Sequence, residues 1–176
     1  MRKVFLIGYM GAGKTTIGKQ LAMKLGVQFV DLDLFIENRY RKRVGEIFAE
    51  KGEDAFREME RRALLEVSQF EDVIISTGGG APCFFDNMEV MNNLGQTIYL
   101  KVPVDELASR LTVYKYSRPL IQGKTPEEIK QYVAESLDKR EVCYNQAAII
   151  FNVTKSLSTQ QEVDTVVENL IKVINE

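Results

Sequence analysis

The stretch Gly8-Tyr9-Met10-Gly11-Ala12-Gly13-Lys14-Thr15 constrains this chain more than any other, because it matches G-x-x-x-x-G-K-[ST] between two elements of different periodicity. Before it, Val4 to Ile7 is a short apolar run of the kind that forms a buried strand. After it, Ile17, Leu21 and Leu25 recur at helical spacing as far as Gly26. Strand, glycine loop and helix in that order predict backbone N–H groups curled around phosphate oxygens at a helix N-terminus, where the peptide dipoles favour an anion. The loop residues Gly11, Ala12 and Gly13 then supply backbone, Lys14 reaches the β and γ phosphates, and Thr15 offers its hydroxyl to Mg²⁺. Thr16 is expected near the α phosphate. Binding of ATP with Mg²⁺ is the first expectation.

The remainder of the chain keeps alternating. Val27 to Val30 reads as a strand, followed by helices over Asp33 to Tyr40, Val44 to Ala49 and Glu53 to Val67. Val73 to Ser76 is a strand stopped by Gly78-Gly79-Gly80, and Thr97 to Val102 is another, ended near Pro103. Helices over Asp105 to Leu111 and Glu127 to Cys143, a fifth strand over Ile149 to Val153 and an amphipathic helix over Glu162 to Ile174 complete the pattern. Parallel neighbours need crossover connections, so this alternation predicts an α/β fold, with a parallel sheet between helical layers and ligands at the strands' carboxyl ends. No repeat or linker interrupts it. Residues 1–176 are therefore expected to form a single domain, with Thr112 to Thr125 the one stretch left unplaced.

Charge and cysteine usage narrow the partners. With 23 basic and 25 acidic residues, no sequence-wide field gathers nucleic acid or an anionic membrane, and the cluster Arg39 to Arg43 reads as the solvated end of a helix. Cys83 and Cys143 are too few for a disulfide scaffold and lack the spacing of a zinc site, which fits a reducing compartment. The opening apolar run is too short for a signal or spanning segment, so cytoplasmic location is expected. The expected partners are small molecules, with no nucleic acid, no membrane and a monomeric chain.

A regulatory GTPase would carry an Asp-x-x-Gly switch and an Asn-Lys-x-Asp base reader, and neither occurs. A motor ATPase needs more chain than 176 residues provide. A small-molecule kinase remains, and it requires an orienter for the acceptor hydroxyl, cations for the developing charge and a lid against hydrolysis. Without histidine, the base, if one is used, falls to a carboxylate. In Asp31-Leu32-Asp33 an extended segment would project both carboxylates to one side, one toward magnesium and one toward the acceptor; alternatively, Asp33 caps the following helix. Arg57 and Glu60 are i,i+3 neighbours, so Arg57 can grip a carboxylate while Glu60 fixes its fork, unless the cluster is only a solvated face. Thr77-Gly78-Gly79-Gly80 stands where many proteins with this loop carry an acid; magnesium must then lean on Asp31, while the glycines admit a substrate and offer N–H donors. Cys83 reads as a packed thiol. Tyr114 to Leu120 is polar, aromatic and basic, as a lid would be, and Arg118 is placed to close on the transferring phosphate.

Taken in order, GYMGAGKTTIGKQLA, FVDLD, FREMER, STGGGA, SRPL and LDKREVCY resemble the shikimate kinases over nearly the whole chain. The resemblance implies a five-stranded parallel sheet with a mobile lid at about residues 112–125, and transfer of the ATP γ-phosphate to the 3-hydroxyl of shikimate on the way to chorismate and the aromatic amino acids. It implies that Asp33 holds the acceptor hydroxyl as base or orienter, and that Arg57 and Arg140 grip the shikimate carboxylate. Gly79 and Gly80 would offer backbone donors and Glu60 would support the site. Lys14 and Arg118 would stabilise transferred charge, Thr15 and Asp31 would serve Mg²⁺, and Arg110 would lie beside the adenine. The family's adenine loop has no clear counterpart in Phe151 to Lys155. The rival readings are a gluconate-type or other small-metabolite kinase, and a nucleotide-binding regulator that has lost transfer.

Overall fold

Successive residues of a strand face opposite sides of a sheet, so a strand whose residues are all buried must be covered on both faces. Val4, Phe5, Leu6 and Ile7 are each 0% exposed, and Val73, Ile74 and Ile75 are equally buried. The computed structural model describes residues 2–113, 121–154 and 156–175. Within them, β1 (Lys3–Ile7), β2 (Gln28–Asp31), β3 (Val73–Ser76), β4 (Gln96–Lys101) and β5 (Ile149–Asn152) form one parallel sheet in the order β2-β3-β1-β4-β5. Lys3 lies opposite Val73 and Val4 opposite Gln96, which puts β1 at the centre. At the margin, β5 alternates half-buried with exposed residues, as an edge strand does.

The helices are α1 (Lys14–Leu25), α2 (Leu32–Tyr40), α3 (Val44–Val67), α4 (Asn87–Leu94), α5 (Val104–Val113), α6 (Pro126–Tyr144) and α7 (Gln160–Asn175). The two helices expected over residues 44–67 are joined across a break at Gly52, where φ is 81° and ψ 172°. Helix α6 starts with Pro126 in its first turn behind a reciprocal cap, in which Glu128 N–H donates to Thr125 Oγ1 and Thr125 N–H to Glu128 Oε2.

Helix α4 was not expected. NMEVMNNL is short and carries three asparagines, which are weak helix formers. Tertiary contacts hold it instead: Met88 and Met91 are buried, Asn87 Nδ2 donates to Ala81 O at 2.8 Å, and Arg61 donates to Asn87 Oδ1 at 2.7 Å. The cluster Arg39 to Arg43 is exposed and carries surface ion pairs, Arg39 with Glu66, Lys42 with Glu50 and Arg43 with Glu37. Among the described residues, no helix is long and apolar enough to cross a membrane.

Candidate active site

From β1 the chain crosses to β2 on one side, and from β3 it crosses to β4 on the other. The carboxyl ends of β1 and β3 therefore flank a crevice at the point where the winding reverses. Thr77 ties the two strand ends together, its N–H donating to Leu6 O at 3.1 Å and its hydroxyl to the same oxygen at 3.2 Å. A cleft of about 730 Å³ opens there, with the glycine loop along one wall and Gly78 and Gly79 along the other.

The loop's backbone depends on left-handed residues: φ is 83° at Gly11 and 94° at Gly13, the latter capping α1. Lys14 folds back over it, Nζ donating to Gly8 O at 2.7 Å and Tyr9 O at 2.9 Å. Arg110 Nη1 donates to Gly11 O at 3.0 Å, and its Nε pairs with Glu106 at 2.7 Å. Thr15 Oγ1 donates to Asp31 Oδ2 at 2.7 Å. These two hard oxygen donors, side by side in the phosphate cleft, fit Mg²⁺, which takes one or two protein oxygens and completes its shell with water and phosphate. Among the described residues there is no group of three or more His, Cys, Asp or Glu that could hold a metal ion.

The opposite end of the cleft gathers charge around the glycine run. A Cβ on Gly78 would stand 2.8 Å from Asp33 Oδ1 and 2.9 Å from Glu60 Oε1. One on Gly79 would meet Arg140 Nη1 at 3.4 Å, and one on Gly80 would meet Arg57 Nη2 at 2.5 Å. None of the three has a left-handed φ, so at Gly78 and Gly80 it is space and not backbone conformation that favours glycine. Arg57 is buried, with Nη1 donating to Glu60 Oε2 at 2.8 Å and Nη2 to Glu53 Oε1 at 3.1 Å. Its guanidinium lies 4.1 Å from the centre of the Phe84 ring and 5.3 Å from that of Phe56. Arg140 lies over the Tyr9 ring at 5.5 Å.

Two acids are perturbed. Burial pushes the Asp33 carboxyl above the usual range, the neighbouring Asp31 carboxylate adds to this, and Lys14 pulls against it. Burial likewise raises Glu60 to about 7, against the pull of Arg57. Cys83 is pushed up to about 12, first by burial and then by its contact with Cys143, so it is a packed thiol.

The expected site residues Asp33, Arg57, Glu60, Gly79, Gly80 and Arg140 thus meet at one end of the cleft, and Gly11, Ala12, Gly13, Lys14, Thr15, Thr16, Asp31 and Arg110 belong to or adjoin the loop. Arg118 and the expected lid segment Tyr114 to Leu120 lie outside the described residues. Two expectations change. Helix α2 begins at Leu32, so Asp31 and Asp33 do not share an extended segment; and the residue that caps it is Asp31, whose Oδ1 accepts from Leu34 N–H at 3.2 Å. The close approach to the glycines is made by the protein's own acids and arginines.

The segment after β5, where no adenine loop was legible, lines the nucleotide end through Ser156, Leu157 and Ser158. A Cβ on Gly13 would stand 2.5 Å from Leu157 Cδ1, so Leu157 packs directly over the loop. Glu162 gathers this segment, accepting from Ser156 Oγ at 2.8 Å and from the N–H groups of Ser158 at 2.9 Å and Thr159 at 3.0 Å. Its signature was present in the sequence as Thr159-x-x-Glu162, the pattern of a helix-capping box.

A family model for shikimate kinase matches residues 10–173. The chain is 56% identical over 174 residues to the shikimate kinase of Parabacteroides distasonis, covering 99% of this chain and all of the relative. It is 51% identical over 175 residues to that of Bacteroides fragilis, covering 99% of this chain and 97% of the relative. Among solved structures, the shikimate kinase of Bacteroides thetaiotaomicron superposes with a TM-score of 0.95 at 49% identity, covering 99% of both chains. The shikimate kinase of Acinetobacter baumannii in complex with shikimate superposes with a TM-score of 0.84 at 31% identity, covering 99% of this chain and 93% of that one.

Proposed function

The chain belongs to the shikimate kinase family, and from that membership together with the geometry of its cleft we propose how its residues divide the labour of phosphoryl transfer. The reaction moves the ATP γ-phosphoryl to the 3-hydroxyl of shikimate. The acceptor oxygen bonds to the γ-phosphorus as the bond to the β–γ bridging oxygen breaks, and ADP leaves with that electron pair. Such transfer depends on positioning and charge stabilisation. Asp33 holds the acceptor hydroxyl and takes its proton; burial and the Asp31 charge make its carboxyl a better proton acceptor than an exposed one. Arg57 and Arg140 hold the substrate carboxylate as two hydrogen-bonding forks, and Glu60 keeps Arg57 in place.

Gly79 and Gly80 lend backbone N–H groups at the same end. Lys14 reaches from the loop carbonyls to the γ-phosphate, joined by Arg118 from a lid over about residues 112–125, while Arg110 flanks the base. Thr15 and Asp31 would hold Mg²⁺, which when bound would neutralise phosphate charge. The enzyme is a single-domain monomer in this reading, since one chain supplies both ends of the cleft. It takes no nucleic acid or membrane partner, and the cytoplasm, where ATP is made, suits its two free thiols.

The observation that carries the reading is the glycine run itself, against which Asp33, Glu60, Arg140 and Arg57 are all pressed within 3.4 Å of a would-be Cβ. ADP release measured with shikimate, gluconate, AMP or no acceptor is the test. Shikimate alone is expected to stimulate it, and Asp33→Asn to lower that stimulated rate by at least about 10²-fold with ATP affinity unchanged. A near wild-type rate in Asp33→Asn would remove Asp33 from the chemistry.

A further inference from the structure

Helix α6 delivers two side chains to the glycine run, Arg140 and, one turn later, Tyr144. The tyrosine is fully buried, and its ring packs on that of Tyr99 with centroids 5.0 Å apart. Its hydroxyl donates to Gly79 O at 2.5 Å, and a Cβ on the same Gly79 would stand 3.4 Å from Arg140 Nη1, so the phenol and the guanidinium meet at one residue of the wall. Helix α6 therefore sets a phenol and a charged fork against the same stretch of wall. Burial raises the Tyr144 phenol above the ordinary tyrosine range, so its O–H remains a donor throughout neutral pH.

The Gly79 carbonyl belongs to the same peptide unit as the Gly80 N–H. No peptide among the described residues is cis, and in a planar trans unit the two groups point in opposite directions. Anchoring the carbonyl on one side therefore aims the N–H away from Tyr144. We propose that Tyr144 is a positioning residue for shikimate, its hydroxyl donating to Gly79 O so that it fixes the Gly80 N–H beside the Arg140 fork. The assignment rests on the reading of Arg140 and the glycine run as the end that receives the substrate's carboxylate. Tyr144 does not touch the reacting atoms. Its effect falls on substrate binding and leaves the phosphate loop alone.

Steady-state kinetics of Tyr144→Phe, which keeps the ring and removes only the hydroxyl, test the proposal. The KM for shikimate is expected to rise about tenfold, the upper end for one buried hydrogen bond, with the KM for ATP within about twofold. Tyr99→Phe deletes a neighbouring buried hydroxyl, the one bonded to Glu141 at 3.0 Å, and is expected to leave both constants unchanged. In an Arg140→Lys background the Tyr144→Phe effect should shrink, because the two groups act as a unit. An unchanged shikimate KM in Tyr144→Phe, an equal rise in both constants, or a variant that no longer folds and binds ATP would each overturn the assignment, the last two by making the hydroxyl a general strut. Arg140→Lys on its own separates the two layers: if it leaves the shikimate KM unchanged, the underlying reading of Arg140 fails and this assignment with it. If it raises that constant while Tyr144→Phe does not, only Tyr144 loses its role.

Discussion

Glu60 is 1% exposed and accepts from Arg57 at 2.8 Å, yet its carboxyl titrates near 7, because the desolvation of a buried charge outweighs that single partner. The unfolded chain has this group at its ordinary 4.5. Between the two values the folded state binds more protons than the unfolded one, so stability is full below about pH 4.5 and is lost as pH rises through about 7. Asp33, also raised by burial, adds in the same direction. The Glu60 contribution is about 3 kcal/mol, which for a chain of this size predicts a fall in Tm of several degrees between about pH 5 and about pH 8. Thermal melts of Glu60→Gln should show most of that slope gone; an unaltered slope would place the titration elsewhere. Residues of this kind were only half legible in the sequence. The i,i+3 spacing of Arg57 and Glu60 joined them, but an ion pair on a solvated face has the same spacing, and burial is what separates the two. Tyr144, though inside the LDKREVCY stretch, gave no signal of its own, since a tyrosine near a helix end reads as core.

Among the elements, the run after β3 has the sharpest consequence. Gly80 has φ of −88°, which any residue can adopt, so a substitution there is resisted by contact alone. Gly80→Ala is expected to push Arg57 out of place and raise the shikimate KM at least tenfold, while ATP affinity stays within about twofold because the phosphate loop is untouched. Isothermal titration with each ligand separately checks this, and equal weakening of both would mean that the whole wall had moved. Strands β1 and β3 and helices α6 and α7 were legible because their apolar periodicities are unmixed and their ends carry glycine, proline or capping residues. Helix α4 was not, since asparagines favour turns locally and only Met88, Met91 and the Arg61 contact decide otherwise. The 156–158 segment was missed for another reason: its shape comes from Glu162, six residues beyond Ser156.

For the molecule as a whole, the sheet order brings Lys14, Asp33 and Gly79 to one cleft and sets Arg57 and Arg140 against its glycine wall, although they span most of the chain. A ligand that bridges these segments binds the folded state alone and so stabilises it. At about 100 times its Kd, ATP with Mg²⁺ should add about 2.7 kcal/mol, read as a Tm increase of roughly 5–10 °C. Lys14→Ala should abolish most of that shift, and a shift unchanged by it would argue against phosphate binding at the loop. The parallel order and the cleft's location followed from alternation and crossover rules.

The packed glycine run also restricts how such an enzyme could acquire a different acceptor by mutation. Any side chain added at Gly78 or Gly80 meets Glu60, Asp33 or Arg57 and must displace it, so a change on the wall weakens the acceptor end unless the residue opposite has become smaller. The opposite order passes through a variant with a displaced arginine or acid. Evolutionary routes to a new specificity are therefore ordered, with the large charged residue changing first and the glycine second, and random libraries that vary the glycines alone should return enzymes weakened toward shikimate and not redirected from it.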